Sequence, residues 1–203
     1  MDAAPPAAED EVRRVSLTGD VRGATTLAIQ RFGPELLGFL HVLTGDPEAA
    51  GEVFADLCVR IWKGLPAFRW ESSLRTWIYV LARRACHDHR RDRAAWQGRN
   101  THLTDDAQLD ALIVHLRTQG TTQLREGRAA RIQRLRARLS VDEQTLLTLR
   151  VDRGLEWREI AIILSDADAP GDDELTRAAA SLRKRYERVK QALRRMAAED
   201  PDE

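Results

Sequence analysis

Leu74, Trp77, Ile78, Leu81, Ala82 and Ala85 recur at spacings of 3, 1, 3, 1 and 3 residues. That rhythm follows the 3.6-residue turn of a helix and places all six side chains on one face. The stretch therefore reads as an amphipathic α-helix that must bury its stripe. Ser72 or Ser73 stands where a capping side chain is needed. The helix runs straight into Arg83, Arg84, His87, His89, Arg90 and Arg91. One element is thus core at its start and basic surface at its end.

The same period dominates the rest of the chain, and no strand-like alternation persists. Ala24, Leu27, Ala28 and Phe32 open a first helix; Pro34 is expected to kink or restart it, and Leu36, Leu37, Leu40 and Leu43 carry it on. Pro47 follows Asp46 as a first-turn proline behind a capping residue. Ala50, Val53, Phe54, Leu57, Cys58 and Ile61 then line a second helix, with Trp62 beside them and Gly64 and Pro66 to stop it. From 96 to 123 the pattern fades into Gly, Asn and Thr, with room for a short helix from Asp105 to Leu116. Beyond it, Ser140 and Glu143 form a capping box ahead of Leu146, Leu147 and Leu149. Trp157, Ile160, Ala161, Ile163 and Leu164 mark a short helix, and Ala178, Leu182, Tyr186, Val189, Leu193 and Met196 a long one.

The fold class expected is all-α, with two small helical domains joined by a linker. Residues 1–20 read as an acidic flexible tail, 21–95 as the first domain and 96–123 as the linker. Residues 124–198 read as a second domain containing a helix-turn-helix, and 199–203 as an acidic tail.

The formal net charge of zero, from 32 basic and 32 acidic residues, conceals blocks of opposite sign. Residues 83–99 carry a net +4, residues 125–138 a net +5 and residues 177–195 a net +7. Between the last two, Ser165–Glu174 holds five acids and no base. All but three of the basic residues are arginine, whose forked donors suit phosphates and base edges. Three basic blocks in a neutral chain point to a polyanion met by defined surfaces, with solvated helix faces as the competing account.

No segment is apolar for 18 residues, and the acidic N-terminus is unlike a signal peptide. Membrane insertion is not expected, and the location expected is cytoplasmic. Cys58 and Cys86 are too few for a disulfide scaffold. Cys86, His87 and His89 lack the further ligands a zinc site needs, and there is no phosphate-binding glycine loop or H-E-x-x-H motif. The expectation is no catalytic residue, no metal and no cofactor.

On the last helix Ser181, Lys184, Arg185 and Arg188 share a face, and a short helix followed by a longer basic one is the order of helix-turn-helix readers. The nine residues Ser165–Asp173 are long for the turn of such a motif. In the first domain, Phe68 and Trp70 lie in a loop next to the basic helix. Exposed aromatics beside arginines suit unstacked bases. Trp77 reads as a core filler, Phe68 as core or site, and Trp70 as the freer ring.

Residues 46–93 contain Ile61-Trp62, Leu65-Pro66-Ala67-Phe68, Ser73-Leu74-Arg75-Thr76-Trp77, Ala82-Arg83 and Asp88-His89-Arg90-Arg91. This text resembles region two of bacterial RNA polymerase sigma factors of the extracytoplasmic-function (ECF) type. Leu139–Leu164 with Ser181–Leu193 resembles region four. The resemblance implies a promoter-specificity subunit that binds core RNA polymerase, reads the minus-thirty-five element as duplex and melts and captures the minus-ten element. It implies polymerase contacts at Glu52, Asp56, Arg60 and Trp62. It implies minus-ten contacts at Phe68, Arg69, Trp70, Glu71 and Ser72 in the loop and at Arg83, Arg84, His87, Arg90 and Arg91 on the helix. It implies minus-thirty-five contacts at Ser181, Arg183, Lys184, Arg185 and Arg188. The partners implied are core polymerase, promoter DNA as duplex and as melted non-template strand, and an anti-sigma factor. The chain departs from the family pattern at Arg84, where asparagine is usual, and at Ala55, where glutamine is usual. Two other readings stand beside it: a polymerase-independent helix-turn-helix regulator, and a helical protein–protein adaptor that binds no DNA.

Overall fold

Aspartates set where the second and third helices begin. In the computed structural model, which describes residues 6–91, 111, 112, 114–116, 128–167 and 170–199, Asp20 accepts a hydrogen bond from the Gly23 N–H at 2.8 Å. Asp46 accepts from the Glu48 and Ala49 N–H groups, both at 3.2 Å. Each cap satisfies amides that the first helical turn leaves open, an effect of about 1 kcal/mol. The helices so defined are α2 (Val21–Thr44) and α3 (Pro47–Gly64). They follow α1 (Pro6–Leu17), and α3 leads through a 3₁₀ turn (Leu65–Ala67) and a loop to α4 (Leu74–Arg91). Among the described residues there is no strand. No described helix is long and apolar enough to cross a membrane.

The chain divides into two units, residues 2–122 and 123–203. In the first, α2 supplies the central wall: Phe32, Leu36, Phe39 and Leu40 are buried against Val53, Phe54, Leu57 and Ile61 of α3 and Leu74, Ile78 and Tyr79 of α4. Phe39 meets Tyr79 edge to face, ring centroids 4.9 Å apart.

Three expectations are corrected here. Pro34 does not restart its helix: α2 runs unbroken through it. The carbonyl that its missing N–H would have bonded belongs to Gln30, which is exposed and has water available. Residues 6–17 are not a loose tail but helix α1, with Val12 fully buried and Ala8 nearly so. Leu116, expected in a linker, is buried in the first unit, its Cδ1 2.6 Å from where a Cβ on Gly33 would lie. The rest of the linker region up to residue 127, apart from 111, 112 and 114–116, lies outside the described residues. So do the first five residues, 168–169 and the closing 200–203.

The second unit begins with α5 (Arg128–Ala137). Ser140 and Glu143 make the expected capping box at the start of α6 (Val141–Leu147), which continues through a π turn (Thr148–Asp152). Gly154, at φ +66°, turns the chain into α7 (Trp157–Leu164). The long α8 (Asp172–Glu199) closes the unit. Leu139, Leu147 and Val189 form a buried cluster flanked by Tyr186, Leu193 and Met196.

The acidic stretch resolves into two parts. Asp172, Asp173 and Glu174 are the first turn of α8 rather than loop. Carboxylates there offset the positive end of the helix dipole. The connection from α7 is consequently shorter than the sequence suggested, spanning 165–171. Asp172 also receives the Arg158 guanidinium from α7.

Candidate nucleic-acid interface

The loop between the 3₁₀ turn and α4 carries an aromatic stack. Phe68 lies parallel on Trp77, centroids 4.8 Å apart and planes 26° apart. Trp70 tilts toward Phe68 at 4.9 Å. Trp77 is half-buried rather than a core filler, and Gly64 leaves room for it: a Cβ there would meet its ring at 3.0 Å. Trp70 has φ +59°, the only positive φ among the described non-glycine residues. A bulky side chain in that region costs on the order of 1–3 kcal/mol, and such strain concentrates at binding sites. Arg69 and Glu71, exposed on either side of Trp70, pair at 3.1 Å, and Ser72 is half-buried.

Helix α4 continues the site. Trp77, Val80, Arg84, His87 and Arg91 follow each other at spacings of 3, 4, 3 and 4 and so share one face. The aromatic stack and the basic end of α4 lie along one stripe of about 21 Å. Arg83 and Arg84 are half-buried, His87, Arg90 and Arg91 exposed. Arg90 also reaches back to the Leu43 carbonyl at the end of α2, so it anchors α4 as well as carrying charge. His89, on the opposite side, is buried.

On α3, Glu52, Asp56 and Arg60 line up at intervals of four, and each is half-buried, as is Trp62. Arg60 Nε donates to Asp56 Oδ2 at 2.5 Å, and its terminal nitrogen donates to Asp88 Oδ2 on α4 at 2.9 Å. Arg91 reaches the other oxygen of Asp88 at 3.3 Å. A chain of alternating charge thereby connects the polymerase face expected on α3 with the basic end of α4. Burial alone would lower the Arg60 pKa, but the hydrogen bonds and charges of Asp56 and Asp88 outweigh it and hold it above its ordinary value.

In the second unit, Ser181, Arg183, Lys184 and Arg188 are exposed on α8. Arg185 is half-buried and paired with Asp142 of α6 at 3.2 Å. Arg177, Ser181, Lys184, Arg188 and Arg195, at spacings of 4, 3, 4 and 7, make a straight basic stripe. The helix behind it is braced by a ladder. Arg150 lies over Trp157 at 4.9 Å, Trp157 meets Tyr186 edge-on at 5.5 Å, and Lys190 lies over Tyr186 at 4.9 Å.

Comparison with known proteins bears directly on this layout. Residues 28–95 match the family described as Sigma-70 region 2, a span that includes α3, the aromatic loop and α4. The RNA polymerase sigma-H factor of Pseudomonas aeruginosa is 25% identical over 149 residues, covering 72% of this chain and 77% of that protein. The RNA polymerase sigma factor YlaC of Bacillus subtilis is 28% identical over 158 residues, covering 76% of this chain and 87% of that protein. Over region 2, and along most of its length in these two comparisons, the chain is similar to bacterial RNA polymerase sigma factors. No solved structure matches it.

The site contains features that sequence reasoning missed. Glu9 of α1 accepts the Leu74 and Arg75 N–H groups, both at 3.1 Å, and so caps α4 from 65 residues away. Arg13, one turn further along α1, lies over the Trp70 ring at 5.4 Å. The acidic run Glu9-Asp10-Glu11 hid this cap because composition there resembled a solvated tail. Ser73 Oγ adds the local cap, accepting from the Thr76 N–H at 3.0 Å. Among the described residues no cluster of His, Cys, Asp and Glu is placed to hold a metal ion. Cys58 and Cys86 are buried free thiols. Burial raises both pKa values, with Asp56 adding to the effect at Cys58 and Arg90 opposing it at Cys86.

Proposed function

We propose that this chain is an ECF-type promoter-specificity subunit that works in the cytoplasm by binding energy alone, with no covalent chemistry of its own. The α3 face of Glu52, Asp56, Arg60 and Trp62 docks on core RNA polymerase. The loop of Phe68, Arg69, Trp70, Glu71 and Ser72 receives a base flipped from the melted minus-ten element. Arg83, Arg84, His87, Arg90 and Arg91 guide the non-template strand along α4. In the second unit α7 and α8 act as a helix-turn-helix. Ser181, Arg183, Lys184, Arg185 and Arg188 meet the minus-thirty-five duplex in the major groove.

One observation carries the reading: the Phe68–Trp70–Trp77 stack and the Arg84–His87–Arg91 row lie on one continuous stripe. Aromatic rings accept any base face, at about 1–3 kcal/mol per stacked base, and the row behind them follows a phosphate backbone. Duplex is opened because the unstacked strand binds better here than the paired one can. An anti-sigma factor that covers these faces would hold the subunit inactive.

Transcription with purified core RNA polymerase tests the assignment. The protein directs initiation from its promoters, whereas the Asp56→Ala and Trp70→Ala double variant does not. Full activity of that variant rejects the assigned sites.

A further inference from the structure

Helix α1 touches the capture loop through two side chains one turn apart. Glu9 commits both carboxylate oxygens to the first amides of α4. That bond fixes α1 across the junction between the loop and α4. Arg13, at i+4 and therefore on the same face, is thereby held over Trp70. Ala8 and Val12, the neighbours of Glu9 and Arg13 on the helix, are buried.

Arg13 is exposed, and among the described residues it makes no hydrogen bond or ion pair. Glu9 is engaged with α4 and Glu71 with Arg69. A guanidinium stacked on an aromatic face keeps its in-plane N–H donors available. Arg13 therefore presents unspent donors and a full charge beside the ring that a captured base would stack upon. A stacked nucleotide brings its phosphate to the edge of that ring system.

We propose that Arg13 is a strand-contacting residue that binds the phosphodiester next to the base held by Trp70, making α1 a wall of the capture site. The proposal rests on the capture reading given above. It assigns Arg13 a charge-based role toward single-stranded DNA, beyond bracing Trp70.

The test uses holoenzyme reconstituted from the full chain and core RNA polymerase. The probe is a fluorescein-labelled single strand with the non-template sequence of a promoter that this holoenzyme opens. Binding is measured from low to moderate salt for wild type, Arg13→Gln, Arg13→Lys and Trp70→Ala. One lost phosphate contact on a single strand lowers the slope of log K against log salt by about 0.7. The expected result is that drop, with several-fold weaker binding at low salt, for Arg13→Gln and a near-wild-type slope for Arg13→Lys. An unchanged slope in Arg13→Gln overturns the proposal, even if affinity falls, because Arg13 then only braces Trp70. An equal drop in both variants also overturns it, because charge is then not the cause. Trp70→Ala separates the two readings. If it leaves binding intact, the capture reading itself has failed and this proposal with it. If it weakens binding while Arg13→Gln does not, only the assignment of Arg13 falls.

Discussion

Arg75 of α4 lies side-on to Glu35 of α2, two N–H donors meeting two carboxylate oxygens at 2.9 and 2.7 Å. The side chains are only 9% and 13% exposed. Removing one partner of such a pair strands a charge in the core at about 3–5 kcal/mol, whereas replacing both with apolar side chains is near neutral. Glu35→Ala should therefore lower the urea midpoint sharply, and a Glu35→Leu, Arg75→Met double variant should recover most of it. A loss of under about 1 kcal/mol in the single variant would mean water screens the pair.

Trp70 sets stability against binding. Glycine adopts φ +59° without strain, so Trp70→Gly should leave thermal stability unchanged or raised, despite losing a large ring. The same change should weaken capture of the minus-ten strand by about 1–3 kcal/mol, read from binding of a labelled single strand to holoenzyme. A strongly destabilised variant would show that the ring is a structural plug.

Asp56 should matter little to folding and much to assembly. Its side chain is 26% exposed and its pair with Arg60 is solvent-accessible, a geometry worth at most about 1 kcal/mol. Asp56→Ala should shift the denaturation midpoint slightly and abolish co-elution with core RNA polymerase. Asp88→Asn loosens the same Arg60 from the α4 side and should keep co-elution. Equal loss in both variants would assign the effect to the network rather than to Asp56.

The thiols give a chemical test of the core. Burial raises the pKa of Cys58 and of Cys86, which disfavours the thiolate at both. The native protein should react with a thiol reagent only at the rate at which it unfolds, and fully in denaturant. Rapid labelling without denaturant would contradict the packing of α3 on α4.

The capping box of α6 predicts an acid dependence. The Ser140 backbone and hydroxyl hydrogen bonds hold the Glu143 carboxyl below its ordinary range. A depressed carboxylate stabilises the fold above its unfolded pKa, and that contribution disappears as pH falls through the lower folded value. Glu143→Gln should therefore flatten the fall in stability below about pH 4.5, and Ser140→Ala should cost about 1 kcal/mol at neutral pH. Both are read from the unfolding of the second unit.

Local signals were legible in the sequence wherever a few neighbouring residues decide the outcome. Asp46-Pro47, Ser140 with Glu143, and the Leu74–Ala85 stripe all form what their spacing implies. Three misses share one cause: each depends on a partner far along the chain. Glu9 caps α4 across 65 residues, Glu35 meets Arg75 across 40, and Leu116 fills the space above Gly33. Pro34 misled because its cost depends on whether Gln30 faces water, which sequence does not reveal. Asp172, Asp173 and Glu174 looked like a loop because acids at a helix start and acids in a loop have the same composition. At the candidate site the basic and aromatic residues were visible, but Arg13 and the stacking role of Trp77 required the fold.

Mapping transcription start sites made by core RNA polymerase with and without the purified protein tests the central claim most directly. The account predicts a new set of starts that share minus-thirty-five and minus-ten elements, present with wild type and absent with the Asp56→Ala, Trp70→Ala variant. Identical starts with and without the protein would contradict it.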